Sequence, residues 1–578
     1  MASEELVTEQ FQLLGIDVEK EVATKCASLC EENCVDAETL TEKWVAFSLN
    51  HLNGASPTLE NLELLARKEF SKRAVERPNA PAKEASRSIG SSLTVYGAPV
   101  TNQSDNTVLS NYMAATPKGV KVEPDSGAAS TELAPVTFSP TIEKSAKYAS
   151  RGNQGTVVHS YGDEKVLEDI SHTNSLTDVL NLTFSQIPNA DGEVYARAMF
   201  GFELLHEKAS VYDNHIQLLS QYIMEKAGIT NTESTRHKTQ TDVWVAGQIQ
   251  CDADARLNPK SVVLQGTWEE SLSQSVPVDL DELKQYSLFP GQVVLMRGIN
   301  PRGDKFIARE VLCDGSTPPP DPQLWDTLEG KLSMVIAAGP YTTSDNLLYE
   351  PLKDLVLYIA EHKPHVVILT GPFLDSEHSK VKDNSIAETY KSFFEKLVDS
   401  LAELQSSTPN THIFIVSSLK DAFHVNIFPT PPYSTRRKHP NIHFVPDPCN
   451  LKINGVIVAV TSTDVLMHIS QEEISLGTTG DKQSRLAAHI LWQRGHYPLL
   501  GAALSADAML WSVHAQLNVT PHVLVLPSNF RYFIKEVEGC VIMNPEHLTK
   551  GLTGGTFARL LIAGDGDSLN IGAQIVRI

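Results

Sequence analysis

The stretch that decides the fold is Val366-Val367-Ile368-Leu369-Thr370-Gly371-Pro372-Phe373-Leu374-Asp375, an apolar run that ends in a turn and an acid. A short aliphatic run bounded by a turn is typical of a strand that is buried on both faces, as in parallel sheets. Similar runs lie at 334–339, 413–416, 456–460 and 523–526, with amphipathic helical spacing at 352–360 and 385–404. This alternation predicts an α/β layered domain over residues 321–578, which closing strands at 559–562 and 574–578 complete.

Residues 161–320 carry a helical lead-in from Gly192 to Ala227 and then a β-rich block. The block contains short strand-like segments separated by glycine and proline, at 244–249, 261–264, 292–298 and 306–309. Short strands with this punctuation are typical of a small closed barrel. Because Phe289-Pro290-Gly291-Gln292-Val293-Val294 also resembles OB-fold sequences, we predict an OB-fold β-barrel here.

The charge of this barrel bears on whether it binds nucleic acid. From Gln240 to Gly315 the sequence has seven basic and eleven acidic residues. OB-folds that bind single strands stack bases on aromatic side chains inside a basic groove. We therefore expect a barrel that docks protein, with DNA contact that is at most indirect or weak. A single-strand-binding module remains the alternative, and its mark would be salt-dependent affinity.

Residues 1–76 have apolar residues at helical spacing and predict a small helical interaction domain. Cys26, Cys30 and Cys34 lie four residues apart, so a helix would place them on one face. A metal or redox cluster is one interpretation, but no Cys-x-x-Cys pair or paired histidine accompanies them. We therefore expect small buried core residues.

Residues 77–160 are rich in Ser, Thr, Pro, Gly, Ala and Asn and predict a disordered, flexible linker. Thr116 and Ser139 each precede a proline, which makes them candidate sites for proline-directed kinases. A phosphate would add about −1.5 to −2 charge there. The alternative is that such pairs simply reflect a linker's composition.

The whole composition limits the class of protein. The formal net charge is -22 and the seven cysteines are sparse, which indicates a reducing compartment. No apolar run approaches the ~18 residues that span a bilayer, and the acidic N-terminus does not resemble a signal peptide. We expect a soluble intracellular protein without membrane contact, and the acidic balance favours protein partners.

The ends of the buried strands are where an α/β domain places chemistry. Pro340 follows the first strand, Pro372 and Asp375 the second, Lys420 and Asp421 the third, and Pro498 stands two residues after His496. The layout resembles a calcineurin-like metallophosphoesterase, whose two metal ions need carboxylates and imidazoles in such turns. Proline has no ligand atom, and Lys420 places a cation where a metal would lie. The resemblance implies an α/β sandwich without its metal ligands, with no catalytic residue, metal or cofactor.

Longer phrases at 257–264, 286–294 and 339–346 extend the resemblance along the chain. With the helical domain and the linker, they resemble the B-subunit family of eukaryotic replicative DNA polymerases, in its polymerase alpha branch. This implies a multidomain α+β, non-catalytic scaffold subunit of the polymerase alpha–primase complex, supporting RNA–DNA primer synthesis at the initiation of replication in the nucleus.

The resemblance also implies a set of partners. The barrel and the sandwich would together bind the zinc-binding C-terminal tail of the DNA polymerase alpha catalytic subunit. The small and large primase subunits would join the same complex, and the N-terminal domain would bind other replisome proteins.

Two further alternatives stay open. An active metal-dependent phosphoesterase or exonuclease would need an intact metal set, and tightly bound manganese, iron or zinc would support it. Within the accessory class, the chain could instead be the equivalent subunit of another replicative polymerase.

Overall fold

The structure is a computed structural model that describes residues 4–13, 16, 18, 20–33, 35, 37–51, 57–66, 144–171, 182–186, 200–318, 330–383, 386–500, 504–565 and 568–578. Thr116, Ser139 and Cys34 lie outside these ranges, as do the proposed domain limits at residues 76 and 320. None of the helices in these ranges combines the length and the apolar character that a membrane crossing requires.

The N-terminal part is helical, as predicted. Its helices are α1 (Glu4–Leu13), α2 (Lys20–Asn33), α3 (Ala37–His51) and α4 (Leu59–Leu65). Trp44, Phe11 and Leu40 are fully buried, and Cys26 and Cys30 are buried as well. Burial raises the pKa of the Cys26 thiol to about 12, so it stays protonated at neutral pH. The prediction of buried core cysteines is confirmed for these two residues.

The segment 144–160, which the sequence assigns to the linker, is folded. It forms α5 (Ala146–Ala149) and β1 (Val157–Tyr161), and β1 pairs antiparallel with the last strand of the chain, β22 (Ser568–Arg577). Arg151 donates to the carbonyl of Ile578, 427 residues away. The linker prediction is wrong here because distant partners hold this short, polar segment, and local composition does not reveal them.

The lead-in continues with α6 (Glu164–Ser171), β2 (Phe184–Gln186) and α7 (Leu205–Ala227). The helix predicted from Gly192 begins only at Leu205; residues 200–204 are not helical, and 192–199 lie outside the described ranges. Glu207 accepts the backbone N–H of Leu204 at 2.8 Å and so fixes the start of the helix.

The predicted barrel is confirmed as a closed five-stranded barrel in the order β3-β4-β5-β8-β7. Its strands are β3 (Thr239–Cys251), β4 (Val262–Gln265), β5 (Ser275–Asp279), β7 (Val293–Asn300) and β8 (Phe306–Leu312). Helix α8 (Trp268–Ser271) connects β4 to β5, and β6 (Tyr286–Leu288) pairs outside the barrel. The sequence did not predict β5, because Pro277 interrupts it and proline usually excludes a strand interior.

The layered domain contains two sheets. The first has the order β1-β22-β21-β9-β10-β11-β12 and consists, besides β1 and β22, of β9 (Lys331–Ala338), β10 (Val366–Thr370), β11 (His412–Val416), β12 (Ile442–Val445) and β21 (Thr556–Asp565). The second has the order β17-β18-β16-β14-β13-β2 and consists, besides β2, of β13 (Cys449–Ile453), β14 (Val456–Val460), β16 (Val523–Val525), β17 (Phe533–Val537) and β18 (Cys540–Asn544). Two small pairs join β6 to β15 (Ile474–Leu476) and β19 (Thr549–Lys550) to β20 (Thr553–Gly554). The lead-in strand β2 thus belongs to the layered domain and not to the barrel.

Helices cover both outer faces. They are α9 (Glu350–His362), α10 (Ser379–Lys382), α11 (Tyr390–Glu403), α12 (Val465–Glu472), α13 (Lys482–Trp492) and α14 (Ala508–His514). Strand β10 explains the layering, because Val366 and Ile368 join the core between the sheets while Val367 and Leu369 join the core that holds α9 and α11. The helix predicted from 385 begins at Tyr390, where the hydroxyl of Thr389 accepts the backbone N–H of Ser392 at 3.3 Å.

Candidate functional site

The ends of β9, β10 and β11 lie side by side because these strands are parallel neighbours. We call the turns after them, residues 339–341, 371–375 and 417–421, the strand-end edge. The edge brings together the predicted positions Pro340, Pro372, Asp375, Lys420 and Asp421. Pro498 lies on a separate loop.

Asp421 is buried and directs both carboxylate oxygens at donors of the protein itself. Its Oδ1 accepts the backbone N–H groups of Phe373 at 2.7 Å and Leu374 at 2.6 Å. Its Oδ2 accepts the hydroxyl of Tyr433. Burial raises the pKa of this carboxyl to about 7, and the nearby Asp375 acts in the same direction. Asp421 therefore joins the turn after β10 to the turn after β11.

The two prolines of the edge also make close internal contacts. A Cβ added at Gly339 would collide with the backbone of Pro372, so the first two turns are packed directly on each other. The carbonyl of Pro340 accepts the hydroxyl of Thr549, and the carbonyl of Gly339 is 2.7 Å from Nδ1 of His547. The space between the turns is filled by backbone.

Asp375 and Lys420 take part in the strand-end edge mainly through backbone hydrogen bonds. Asp375 and Asp421 form a single antiparallel bridge, and the carbonyl of Lys420 accepts the N–H of Ser376 at 2.9 Å. A side-chain oxygen of Asp375 accepts the N–H of Glu377 at 2.9 Å. The side chain of Lys420 is exposed.

His496 and Pro498 lie at a different place. His496 is buried with its Nε2 2.9 Å from Oδ1 of Asn450 on β13, and burial lowers its pKa to about 3. The imidazole is therefore neutral at physiological pH. The Pro498 carbonyl would lie 2.6 Å from a Cβ added at Gly291, so this loop packs on the barrel.

The second sheet adds polar residues that the sequence did not single out. Asp464 follows β14 and accepts the N–H of Asn529 at 2.9 Å, and Glu546 follows β18 and accepts the N–H of Tyr532 at 3.0 Å. The sequence pattern that could have identified them is an acidic residue shortly after a buried strand, the same pattern that singled out Asp375. Across the described parts of the chain, no three His, Cys, Asp or Glu side chains come together in a way that could hold a metal ion.

The barrel and the layered domain meet at a contact that we call the seam. At its centre the side chain of Glu473 is buried and accepts Nε of Arg485 at 2.8 Å and Nη2 at 3.2 Å. The Ser287 hydroxyl of β6 also donates to Glu473, and it lies 2.7 Å from Nε2 of His489. These charge-assisted bonds hold the pKa of Glu473 below its usual range, although burial alone would raise it.

Backbone pairing strengthens the seam. The Gln493 side chain accepts the N–H of Val293 at 2.7 Å and donates to the Val293 carbonyl at 3.0 Å, which imitates a strand partner for β7. Strands β6 and β15 pair across the same contact. The buried polar side chains of the seam and the backbone groups of β6, β7 and β15 thus find hydrogen-bond partners across the contact. These bonds join the barrel to the layered domain.

A groove of about 780 Å³ opens beside the seam. Both domains line it: the barrel supplies Tyr286 and Val311, and the layered domain supplies Ala488, Trp492 and Val537. Lysine, arginine and acidic side chains rim it. An apolar floor with a charged rim is a typical arrangement for binding a protein segment.

Three of the seven basic residues of the barrel are paired with its own acids. Arg297 contacts Asp242 at 3.3 Å and Glu310 at 3.2 Å, and Arg309 contacts Asp242 and Glu282. Lys305 contacts Asp279 at 2.6 Å. Local pairing thus reduces the positive charge that these three side chains offer to phosphates, and weak DNA contact stays a prediction.

Family models of the B-subunit of DNA polymerases match three parts of the chain. The model of the N-terminal region in DNA polymerase alpha matches residues 4–72, and the model of the OB domain in DNA polymerase alpha matches 209–314. The model that covers DNA polymerases alpha and epsilon together matches 334–535. The second match and the closed barrel together confirm the predicted OB-fold.

Curated relatives match the chain over its length. The DNA polymerase alpha B-subunit of Mus musculus is 33% identical over 610 residues, which cover 100% of this chain and 100% of the relative. The Drosophila melanogaster protein of the same name is 31% identical and covers 97% of this chain and 96% of the relative. The Schizosaccharomyces pombe protein is 32% identical over 64% of this chain and 69% of the relative.

Proposed function

The chain belongs to the B-subunit family of DNA polymerase alpha, and from that premise we propose that it is a scaffold without catalytic activity of its own. As an accessory subunit of the polymerase alpha complex, it would hold the catalytic subunit and both primase subunits together for RNA–DNA primer synthesis in the nucleus.

The engagement of Asp421 carries this proposal. A two-metal site needs carboxylates whose oxygens are free to bind cations, but three donors of the chain already occupy Asp421. Pro372 fills the neighbouring turn with backbone. These contacts support a calcineurin-like sandwich whose strand-end edge has become a structural joint that does not fit a two-metal centre.

The seam groove is where we propose that the zinc-binding C-terminal tail of the catalytic subunit docks. Both domains line the groove, and the hydrogen bonds of the seam would hold its two walls together. A permanent interface of this kind buries over about 2,000 Å², so the tail would extend beyond the groove onto both domains. The N-terminal domain would tether other replisome proteins through the linker, and phosphorylation at Thr116 or Ser139 would tune this.

The test is reconstitution of the full chain with the catalytic subunit and both primase subunits. We expect the native chain to co-elute with all three. Val537→Glu, which puts a charge in the groove, should weaken binding of the tail about tenfold or more. Leu357→Glu, at an exposed position on α9, is the control and should bind normally.

Metal analysis and phosphodiester hydrolysis with added Mn²⁺ test the other half of the proposal. We expect no stoichiometric metal and no hydrolysis above the background of a heat-inactivated sample. Turnover that disappears in Asp375→Asn would overturn the non-catalytic assignment.

A further inference from the structure

The turn between β4 and β5 exposes two large apolar side chains. We call residues 267–273, which include α8, the Trp268 turn. Trp268 is 62% exposed and Leu272 is 61% exposed, whereas Phe306 inside the barrel is fully buried. Large exposed apolar side chains in close sequence are a feature of interaction surfaces.

The fold does not need these side chains. The hydroxyl of Thr267 accepts the N–H of Glu270 at 3.3 Å, and the buried Ser271 accepts the N–H of Thr235 at 3.0 Å, so backbone and small polar groups fix the turn. Leu272 has φ +51°, in the left-handed region that leucine disfavours and that asparagine or glycine adopts more readily. The leucine therefore costs stability without adding a packing contact of matching size.

The charge around the turn is negative and uncompensated. Glu269 accepts Nε2 of Gln217 at 2.7 Å, Glu270 accepts the hydroxyl of Thr232 at 2.7 Å, and Asp213 accepts the N–H of Trp268 at 2.7 Å. In the described part of the chain, none of these three carboxylates pairs with a lysine or arginine. Elsewhere on the barrel some acids do pair in this way, such as Asp242 with Arg297 and Asp279 with Lys305.

We propose that the Trp268 turn is a docking surface for a protein partner whose contact face has an apolar pocket rimmed by lysine and arginine. Tryptophan is the residue most enriched among side chains that dominate interface energies, and the pocket would bury it with Leu272. The three carboxylates would meet the basic rim, which steers association and sets specificity. The turn shares no residue with the strand-end edge or the seam groove, so this surface goes beyond the scaffold function.

Photo-crosslinking from the full-length chain tests the proposal. A photo-crosslinking phenylalanine analogue replaces the exposed Gln274, and the chain is incubated with nuclear extract of dividing cells before mass spectrometry. Two variants are compared with the native background. Trp268→Ala with Leu272→Asn removes the apolar anchors, and Glu269→Gln with Glu270→Gln removes charge but keeps an oxygen toward Gln217 and Thr232. Leu357→Ala is the matched control at an exposed leucine.

We expect one dominant crosslinked protein, attached through a segment rich in lysine, arginine and apolar residues. The crosslinking yield should fall about tenfold or more in the variant that lacks Trp268 and Leu272, and it should also fall in the variant that lacks the two glutamate charges. The Leu357→Ala control should give the native yield. The proposal would be overturned by any of three results: no crosslinked product, a product with a second copy of this chain, or a yield that is unchanged in both variants.

Two measurements separate docking from folding and from assembly. Leu272→Asn should keep or raise the thermal midpoint, because asparagine adopts the left-handed backbone more easily. Co-elution with polymerase and primase is measured on the same native sample. Its failure would count against the scaffold function and leave the docking result unaffected.

Discussion

The barrel and the layered domain use their ionisable side chains in opposite ways. On the barrel, Asp242, Arg297 and Arg309 form ion pairs in open solvent. In the layered domain, the carboxylates of Asp421 and Glu473 are buried and fully engaged by donors that belong to the fold. Exposed pairs contribute little, whereas a buried charge that loses its partner is costly. Burial therefore predicts which ionisable side chains affect the stability of the fold and which only shape its surface.

The largest effect is expected where the two domains meet. Glu473→Gln leaves the guanidinium of Arg485, which is mostly buried, without its counter-ion. We expect a loss of about 3–5 kcal/mol in the free energy of unfolding, measured by urea denaturation. Hydrogen exchange should accelerate in β6 and β15, which pair across the seam.

A double variant sharpens this expectation. Glu473→Leu with Arg485→Met removes both charges and should destabilise less than Glu473→Gln alone, since no unpaired charge stays buried. Glu377→Gln, in an exposed pair with Lys382, is the control and should change little. If Glu473→Gln costs no more than this control, the distinction between buried and exposed pairs fails for this protein.

Asp421→Asn tests the strand-end edge through pH. Because burial raises the folded-state pKa to about 7, the native state holds a proton between about pH 4 and 7 that the unfolded state has released. Stability must therefore fall as pH rises through this window. Over pH 4 to 8 the native chain should lose up to about 4 kcal/mol more than Asp421→Asn in urea denaturation.

The histidines supply the control for this pH profile. Burial lowers the pKa of His496 to about 3 and of His522 to about 4, so their contribution is lost as pH falls below about 6.5. That acid limb should appear in both proteins, since Asp421→Asn leaves these histidines in place. Parallel curves above pH 4 would show that the Asp421 carboxyl titrates normally in the folded protein.

The same contrast explains what the sequence could reveal. Strand β10 was predictable because burial on both faces leaves a continuous apolar run, and the barrel because glycine and proline mark its turns. The positions of Pro372 and Asp421 followed from the strand ends. That Asp421 serves as a joint was not readable, because its donors at Phe373, Leu374 and Tyr433 lie in other turns.

Long-range pairing accounts for what the sequence missed. Ser287 and His489 meet across 202 residues, and Val293 and Gln493 across 200. Most of strand β1 was assigned to the linker because its partner strand, β22, lies about 400 residues later in the sequence. Local composition does not indicate such contacts. By contrast, the Trp-Glu-Glu sequence at 268–270, a large apolar residue beside two acids, is a sequence feature that could indicate an exposed interaction surface.

Tyr148→Phe tests how firmly the segment before β1 is attached. Its hydroxyl donates to the Asp354 carboxylate at 2.8 Å in a partly buried setting, so removal should cost about 2 kcal/mol locally. Hydrogen exchange of residues 157–161 should report the loss. Tyr161→Phe is the matched control, because its hydroxyl donates at 2.8 Å to the exposed Glu536 and should matter less. Equal protection in both variants would contradict the assignment of Tyr148 as an anchor.

The smallest effect is expected on the barrel, and it is the one that bears on nucleic acid. Asp242→Asn releases Arg297 and Arg309 from their shared acid, and the thermal midpoint should move by no more than about 2 °C because the pairs are exposed. If local pairing is what keeps phosphates away, the variant should gain weak affinity for single-stranded DNA that falls steeply with salt. If the native barrel already binds single strands with such a salt dependence, its arginines are available in spite of Asp242. The acids would then not prevent phosphate binding, and the barrel would bind nucleic acid in addition to its structural role.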